Sequence, residues 1–132
     1  MAAAAARHAR VRAVEGDRVS AADLVANAAA WDTVEPLRQA VEAFVEASPS
    51  TPDVMIVDPP RTGMSREALD GVVRLRAPKI IYVSCDVATL ARDSRRLVES
   101  GYAIERADAF DLFPNTPHVE TVVIFERSER SA

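Results

Sequence analysis

Two short apolar runs constrain this chain most: Val54-Met55-Ile56-Val57 and Ile80-Ile81-Tyr82-Val83. Each is rich in β-branched and aromatic residues and too short for a buried helix, so each predicts a strand. Each also runs directly into polar residues and then a helical pattern. The first meets Asp58-Pro59-Pro60-Arg61 and the second meets Ser84-Cys85-Asp86. Strands without polar alternation, each followed by a helix, predict an α/β fold with a mainly parallel sheet covered on both faces. Open sheets of this kind carry their reacting groups at the carboxyl ends of the strands. A carboxylate and the only cysteine of the chain are therefore delivered to one edge, which points to an enzyme more than to a packing unit.

The remaining pattern fills in around these strands. Val11 to Glu15 alternates like a short strand and ends at the turn signal Gly16-Asp17. Ser20-Ala21-Ala22-Asp23 fits a capping box, with Ala21, Leu24, Val25 and Ala28 on one helical face. Pro36 suits the first turn of a second helix, whose stripe is Leu37, Ala40, Val41, Phe44 and Val45. After a loop over Ser48–Pro52 come a strand at 53–58, a helix near 65–75 capped by Ser65, and a strand at 79–84. A helix near 87–100 follows, with the stripe Leu90, Ser94, Leu97 and Val98, and Gly101 stands where a helix C-terminal glycine belongs. Tyr102–Ala107 predicts another strand, Phe110–Pro117 a loop, Thr121–Phe125 a last strand, and Arg127–Ala132 a polar, frayed tail.

Composition narrows the class. A chain of 132 residues with 48% hydrophobic and 27% charged residues is an ordinary globular domain. No apolar stretch approaches the roughly 18–20 residues that span a bilayer. The run Ala2 to Ala6 is too short for a signal peptide core and no basic residues precede it. A single cysteine forms no internal disulfide, so a reducing cytoplasm is the simplest setting. Two histidines and one cysteine argue against a protein-built metal site. The net charge of -4 argues against binding nucleic acid through bulk electrostatics, though not against a local basic groove. Arg92, Arg95 and Arg96 share the polar face of one helix, a solvated face by default and a phosphate contact on the sharper reading.

Four residues are candidates for chemistry. Cys85 stands between a strand and a helix N-terminus, where the dipole favours a thiolate; a buried small hydrophobe is the plainer role. Asp58 opens a stiff loop in which Pro59 and Pro60 offer no N–H, suited to presenting carbonyls and one acid to a planar polar ligand; a rigid connector is the alternative. Glu120 enters the last strand and would be a general base if the fold sets it near Cys85; otherwise it is an ordinary acid at a strand start. Glu15 ends the first strand, where dinucleotide-binding folds keep the acid that holds ribose hydroxyls, although strand-terminal acids are common. His118 is better read as a loop residue than as a catalyst.

Taken together these residues resemble the uracil-5 RNA methyltransferases. The matching segments are Asp58-Pro59-Pro60-Arg61-Thr62-Gly63, Tyr82 to Asp93 with Ser84-Cys85-Asp86 at its centre, Gly101-Tyr102, and Asp111 to Thr121. Val14-Glu15-Gly16-Asp17 and Ala26-Asn27-Ala28 are similar to the family's second cofactor motif and the helix after it. The resemblance implies an incomplete Rossmann-like methyltransferase sheet, mainly parallel with a last antiparallel strand near 119–126. It implies that residues 1–132 are the C-terminal part of a class I catalytic domain, without the first strand and its glycine-rich loop. It implies S-adenosyl-L-methionine as cofactor, contacted by Glu15 and Asp58 and more weakly by Asn27, and a tRNA or rRNA substrate. Cys85 is then the nucleophile and Glu120 the base, with no metal. Val87 and Leu112 depart mildly from the family's usual proline and methionine.

Two other readings stay open. One is a non-catalytic remnant, or a half that works only with a partner supplying the missing N-terminal portion or an RNA-binding domain. The other, a thiol hydrolase, needs a histidine beside Cys85, and His8 and His118 are the only ones.

Overall fold

The computed structural model describes residues 9–112, 114–116 and 118–128. The alanine run, His8, Phe113, Pro117 and the tail beyond Ser128 lie outside the described residues. The chain forms two compact units, residues 1–47 and 48–132. Among the described residues six strands fall into two sheets of two and four strands, where the alternation of the sequence predicts one.

In the first unit, β1 (Val11–Glu15) pairs in parallel with β2 (Val34–Arg38), and helix α1 (Arg18–Ala28) connects them. Parallel strands need such a crossover. Helix α1 starts one turn earlier than the Ser20 box predicts. Asp17 is its N-cap, accepting the N–H groups of Val19 and Ser20 at 3.0 and 2.9 Å. A small core joins Ala28 and Val34 with the partly buried Val11, Ala13 and Trp31. Helix α2 (Val41–Ala47) follows, and Arg12 stacks 4.8 Å from the ring centre of its Phe44. Pro36 does not open a helix. It lies within β2 in register with Ala13, and the helix begins five residues later at Val41. Strand β2 has a partner on one side only among the described residues, and an edge strand accommodates a residue without an N–H.

The second unit has the strand order β3-β4-β6-β5, made of β3 (Val54–Val57), β4 (Lys79–Ser84), β5 (Tyr102–Phe110) and β6 (Glu120–Arg127). Strands β3 and β4 are parallel, and β6 runs antiparallel to both of its neighbours, β4 and β5. The last strand alone is reversed, as predicted. Strand β5 extends three residues past the predicted Ala107, so Phe110 pairs with Glu120 in place of opening a loop.

Helix α3 (Arg66–Leu75) starts where Ser65 Oγ accepts the N–H of Ala68 at 3.1 Å, and buries Ala68, Leu69, Val72 and Leu75. Helix α4 (Val87–Glu99) is capped by Asp86 and ends before Gly101, whose φ of +97° few side chains tolerate. The predicted stripe of α4 is only half right. Leu90 and Leu97 are buried, but the third buried position is Asp93, while Ser94 is half-buried and Val98 exposed. Ile80, Tyr82 and Phe125 on adjacent strands are fully buried, each contributing on the order of 1.5–3 kcal/mol of hydrophobic stabilisation.

Candidate active site at the carboxyl edge of the four-stranded sheet

The register of the second unit decides which residues meet. Val57 pairs with Tyr82, so Asp58 leaves β3 at the end of the sheet where Cys85 leaves β4. Ser84 pairs with Thr121 in the antiparallel ladder. Cys85 follows Ser84 and Glu120 precedes Thr121, so both lie at the same end of that ladder, just where β4 leaves it. Asp58, Cys85 and Glu120 therefore stand at one edge of one sheet. Glu15 also ends a parallel strand at its carboxyl end, but in the first unit.

Cys85 is a free thiol, half-buried. Its neighbours are fixed by local hydrogen bonds. Ser84 Oγ accepts the N–H of Asp86 and donates to the Asp86 carbonyl, tightening the turn around Cys85. Asp86 Oδ1 accepts the N–H of Thr89 at 2.9 Å and its hydroxyl at 3.1 Å. These Thr89 bonds hold the Asp86 carboxyl below its ordinary pKa, with a smaller contribution from the charge of Arg61. Arg61 belongs to the loop after β3, so the two sequence motifs meet here.

The carboxylates differ in their surroundings. Asp58 is exposed as a residue, yet shielding of its carboxyl disfavours the charge and raises its pKa. Glu120 is half-buried, and among the described residues its Oε2 is shielded from solvent with no hydrogen-bond partner. A shielded carboxylate oxygen without a donor is costly unless something else approaches it. Glu15 Oε1 accepts the N–H of Asp17 at 2.8 Å. Asn27 lies within α1. His118 donates its N–H to the Thr116 hydroxyl at 3.3 Å, an ordinary turn contact. Among the described residues no group of three acids, histidines or cysteines is arranged to hold a metal.

Two of the three arginines of this helix pair with nearby acids. Arg95 pairs with Glu99 and Arg96 with Asp70 on the exposed surface. Arg92 is different, because it reaches a carboxylate that sequence reasoning missed. Asp93 is fully buried; its Oδ2 accepts from the Tyr82 hydroxyl at 2.6 Å and from the N–H of Met64 at 2.9 Å, and its Oδ1 pairs with Arg92 at 2.7 Å. Burial, and then the hydrogen bond to Asp93, raise the Tyr82 hydroxyl well above its ordinary pKa. The available signal is an acid three residues after Leu90 and four before Leu97, in line with the apolar stripe.

The fold belongs to a broad class. The N-methyltransferase NodS from Bradyrhizobium japonicum superposes with a TM-score of 0.72 at 14% identity, over 91% of this chain and 74% of that one. At that identity the likeness defines the methyltransferase fold alone. Sequence narrows the class further. The family model described as tRNA (Uracil-5-)-methyltransferase matches residues 10–128. An uncharacterized RNA methyltransferase of Thermotoga maritima is 42% identical over 124 residues, covering 92% of this chain and 28% of the relative. The structure of the Pyrococcus abyssi tRNA (uracil-54, C5)-methyltransferase in complex with S-adenosyl-L-homocysteine superposes with a TM-score of 0.79 at 31% identity, over 94% of this chain and 30% of that one. The chain belongs to the tRNA (uracil-5-)-methyltransferase family, and it spans less than a third of the length of these relatives.

Proposed function

We propose that the chain is the catalytic portion of an S-adenosylmethionine-dependent RNA (uracil-5-)-methyltransferase acting on tRNA or rRNA in the cytoplasm. Residues 1–132 form the C-terminal part of its class I catalytic domain. The observation that supports this reading is that Cys85 and Glu120 lie at the same end of the β4–β6 ladder, with Glu120 Oε2 shielded and without a donor among the described residues.

Carbon 5 of uracil is a poor nucleophile. Addition of the Cys85 thiolate at carbon 6 turns the ring into an enolate whose carbon 5 carries the electron density. Bound S-adenosylmethionine supplies an electrophilic methyl group for that carbon. Glu120 then takes the proton from carbon 5, the double bond re-forms, and the Cys85 thiolate leaves. The target base has to be unstacked for the thiol to reach its face. Glu15 suits the ribose hydroxyls of the cofactor, and Asp58 the polar part that faces the sheet edge.

The test is 5-methyluridine formation on RNA by the chain, alone and joined to the remaining length that its relatives carry. Cys85→Ser should abolish it, and Glu120→Gln should accumulate a covalent protein–RNA adduct that keeps its carbon 5 proton. Full turnover by Cys85→Ser overturns the mechanism. A second reading, a half that needs its missing portion, rests on the 28% and 30% coverage of relatives. Calorimetric titration with S-adenosylmethionine separates the two, since a half of this kind binds weakly alone and tightly once completed.

A further inference from the structure

Asp93 is a buried acid eight residues beyond the nucleophile, and the mechanism above makes no use of it. We infer that Asp93 and Arg92 are positioning residues that clamp the 58–64 loop onto the helix that follows Cys85. The inference rests on the proposed roles of Asp58 and Cys85.

Helix α4 presents Thr89, Arg92 and Asp93 at i, i+3 and i+4, one face of the helix. Every one of them bonds to the loop. Thr89 Oγ1 donates to the Arg61 carbonyl at 3.0 Å. Arg92 Nη2 donates to the carbonyls of Thr62 and Met64 at 3.2 and 3.1 Å. Asp93 accepts the Met64 N–H. The loop holds two prolines and so has few N–H groups to fasten it from within; Gly63 N–H to the Pro60 carbonyl at 2.8 Å is its own bond. Tyr82, on the strand that delivers Cys85, completes the set by donating to the same Asp93 oxygen. Gly63 marks how close the fit is: its φ is +75°, and a Cβ there would lie 2.5 Å from Arg92 Nη2 and 2.8 Å from Asp93 Oδ2.

A clamp that joins the loop bearing Asp58, the helix after Cys85 and the strand before it fixes the two candidate groups relative to one another. Reacting groups need that precision to within roughly 0.5 Å, more than stability alone requires. Arg92 is the place to test it, because its side chain is 56% exposed and its loss leaves no hole in the core. Arg92→Gln and Arg92→Lys are compared with the unaltered protein by hydrogen exchange at the Met64 amide and by kcat and KM for RNA. The expected result for Arg92→Gln is Met64 exchange at least tenfold faster and kcat at least tenfold lower. KM should stay within about twofold, and Arg92→Lys should restore part of both losses. Unchanged exchange overturns the clamp, and faster exchange with unchanged kcat overturns its positioning role. If the unaltered protein methylates no RNA either alone or joined to the remaining length of its relatives, the proposed function fails; the clamp then stands or falls on the Met64 exchange rate alone.

Discussion

Helix α3 buries Ala68, Leu69, Gly71, Val72 and Leu75, whereas α1, one residue longer, buries only Ala21 and Ala28 and leaves Val19 and Val25 64% and 51% exposed. Residues 48–132 bury the large side chains Tyr82, Phe125, Ile80 and Leu97 almost completely, while in residues 1–47 Val45 is buried to that degree and Ala28 and Val34 form a small cluster with partly buried companions. The well-packed unit carries Asp58, Cys85 and Glu120, and the thinly packed one carries Glu15. The groups proposed to react are thus set on the more heavily packed sheet, and the acid proposed as a ribose ligand sits on the smaller strand pair. Substitutions in the second unit should therefore act on chemistry and stability, and in the first mainly on binding.

The widest separation is between the proposed nucleophile of the second unit and the proposed ribose ligand of the first. Cys85→Ser should remove 5-methyluridine formation altogether, because no other thiol exists in the chain. Glu15→Ala should leave the chemical step intact and weaken S-adenosylmethionine roughly tenfold or more, the worth of hydrogen bonds to a charged group. Radioactive methyl transfer measures the first and calorimetry the second. Equal losses of kcat in both variants would erase the proposed division of labour.

Core truncation compares the packing directly. Ile80→Ala in the second unit should cost on the order of 2–5 kcal/mol by leaving a cavity beside Tyr82 and Phe125, its neighbours along and across the strands. Val34→Ala in the first unit, which removes fewer atoms from a smaller core, should cost less. Urea denaturation measures both, and a Val34→Ala loss as large as that of Ile80→Ala would show that the first core matters more than its size suggests.

Gly63→Ala comes next. A left-handed backbone position without a glycine costs on the order of 1–3 kcal/mol, and the added Cβ also meets Arg92 and Asp93. Gly16, in the first unit, has no such φ and no contact closer than 3.6 Å, so Gly16→Ala should leave the melting temperature nearly unchanged.

How far these features were legible in the sequence follows the same division. Strands β3 and β4 and helix α3 were readable because uninterrupted apolar runs and a serine cap carry local signals. Strand β2 was hidden because Pro36 fits a helix start as well as an edge strand, and only pairing with β1 decides between them. The clamp was hidden for a related reason. Hydrophobic periodicity assigns charged residues to solvent, so Asp93 was passed over in favour of Ser94, although its partners Tyr82, Met64 and Arg92 make burial tolerable. That Cys85 and Glu120 lie at one end of the sheet depends on a pairing between strands far apart in sequence, which no single segment encodes.

The smallest expected effects are in the acid range, and they again set one unit against the other. Asp17 and Asp86 each cap a helix, α1 in the first unit and α4 in the second, and backbone hydrogen bonds to Ser20 and to Thr89 respectively lead the causes that lower their pKa values from 3.8. A carboxylate with a depressed folded pKa contributes its stabilisation fully above the unfolded value and loses it as pH falls through the folded one. Asp58 acts in the opposite sense. Its raised pKa favours the protonated folded form, so its contribution is full below 3.8 and is lost as pH rises through the folded value. Helix content and thermal midpoints followed from neutral pH down to about pH 2 should therefore show Asp17→Asn and Asp86→Asn each flattening the acid-side loss. Asp58→Asn should instead steepen that loss by removing a group that offsets it. Because α1 buries little, Asp17→Asn should fray α1 locally, visible as faster amide exchange at Val19 and Ser20. Asp86→Asn should move the cooperative melt of the second unit, because α4 is tied by the clamp to the loop and to β4. If Asp86→Asn only frays its helix end, in the manner of Asp17→Asn, α4 is not coupled to the sheet as tightly as its hydrogen bonds imply.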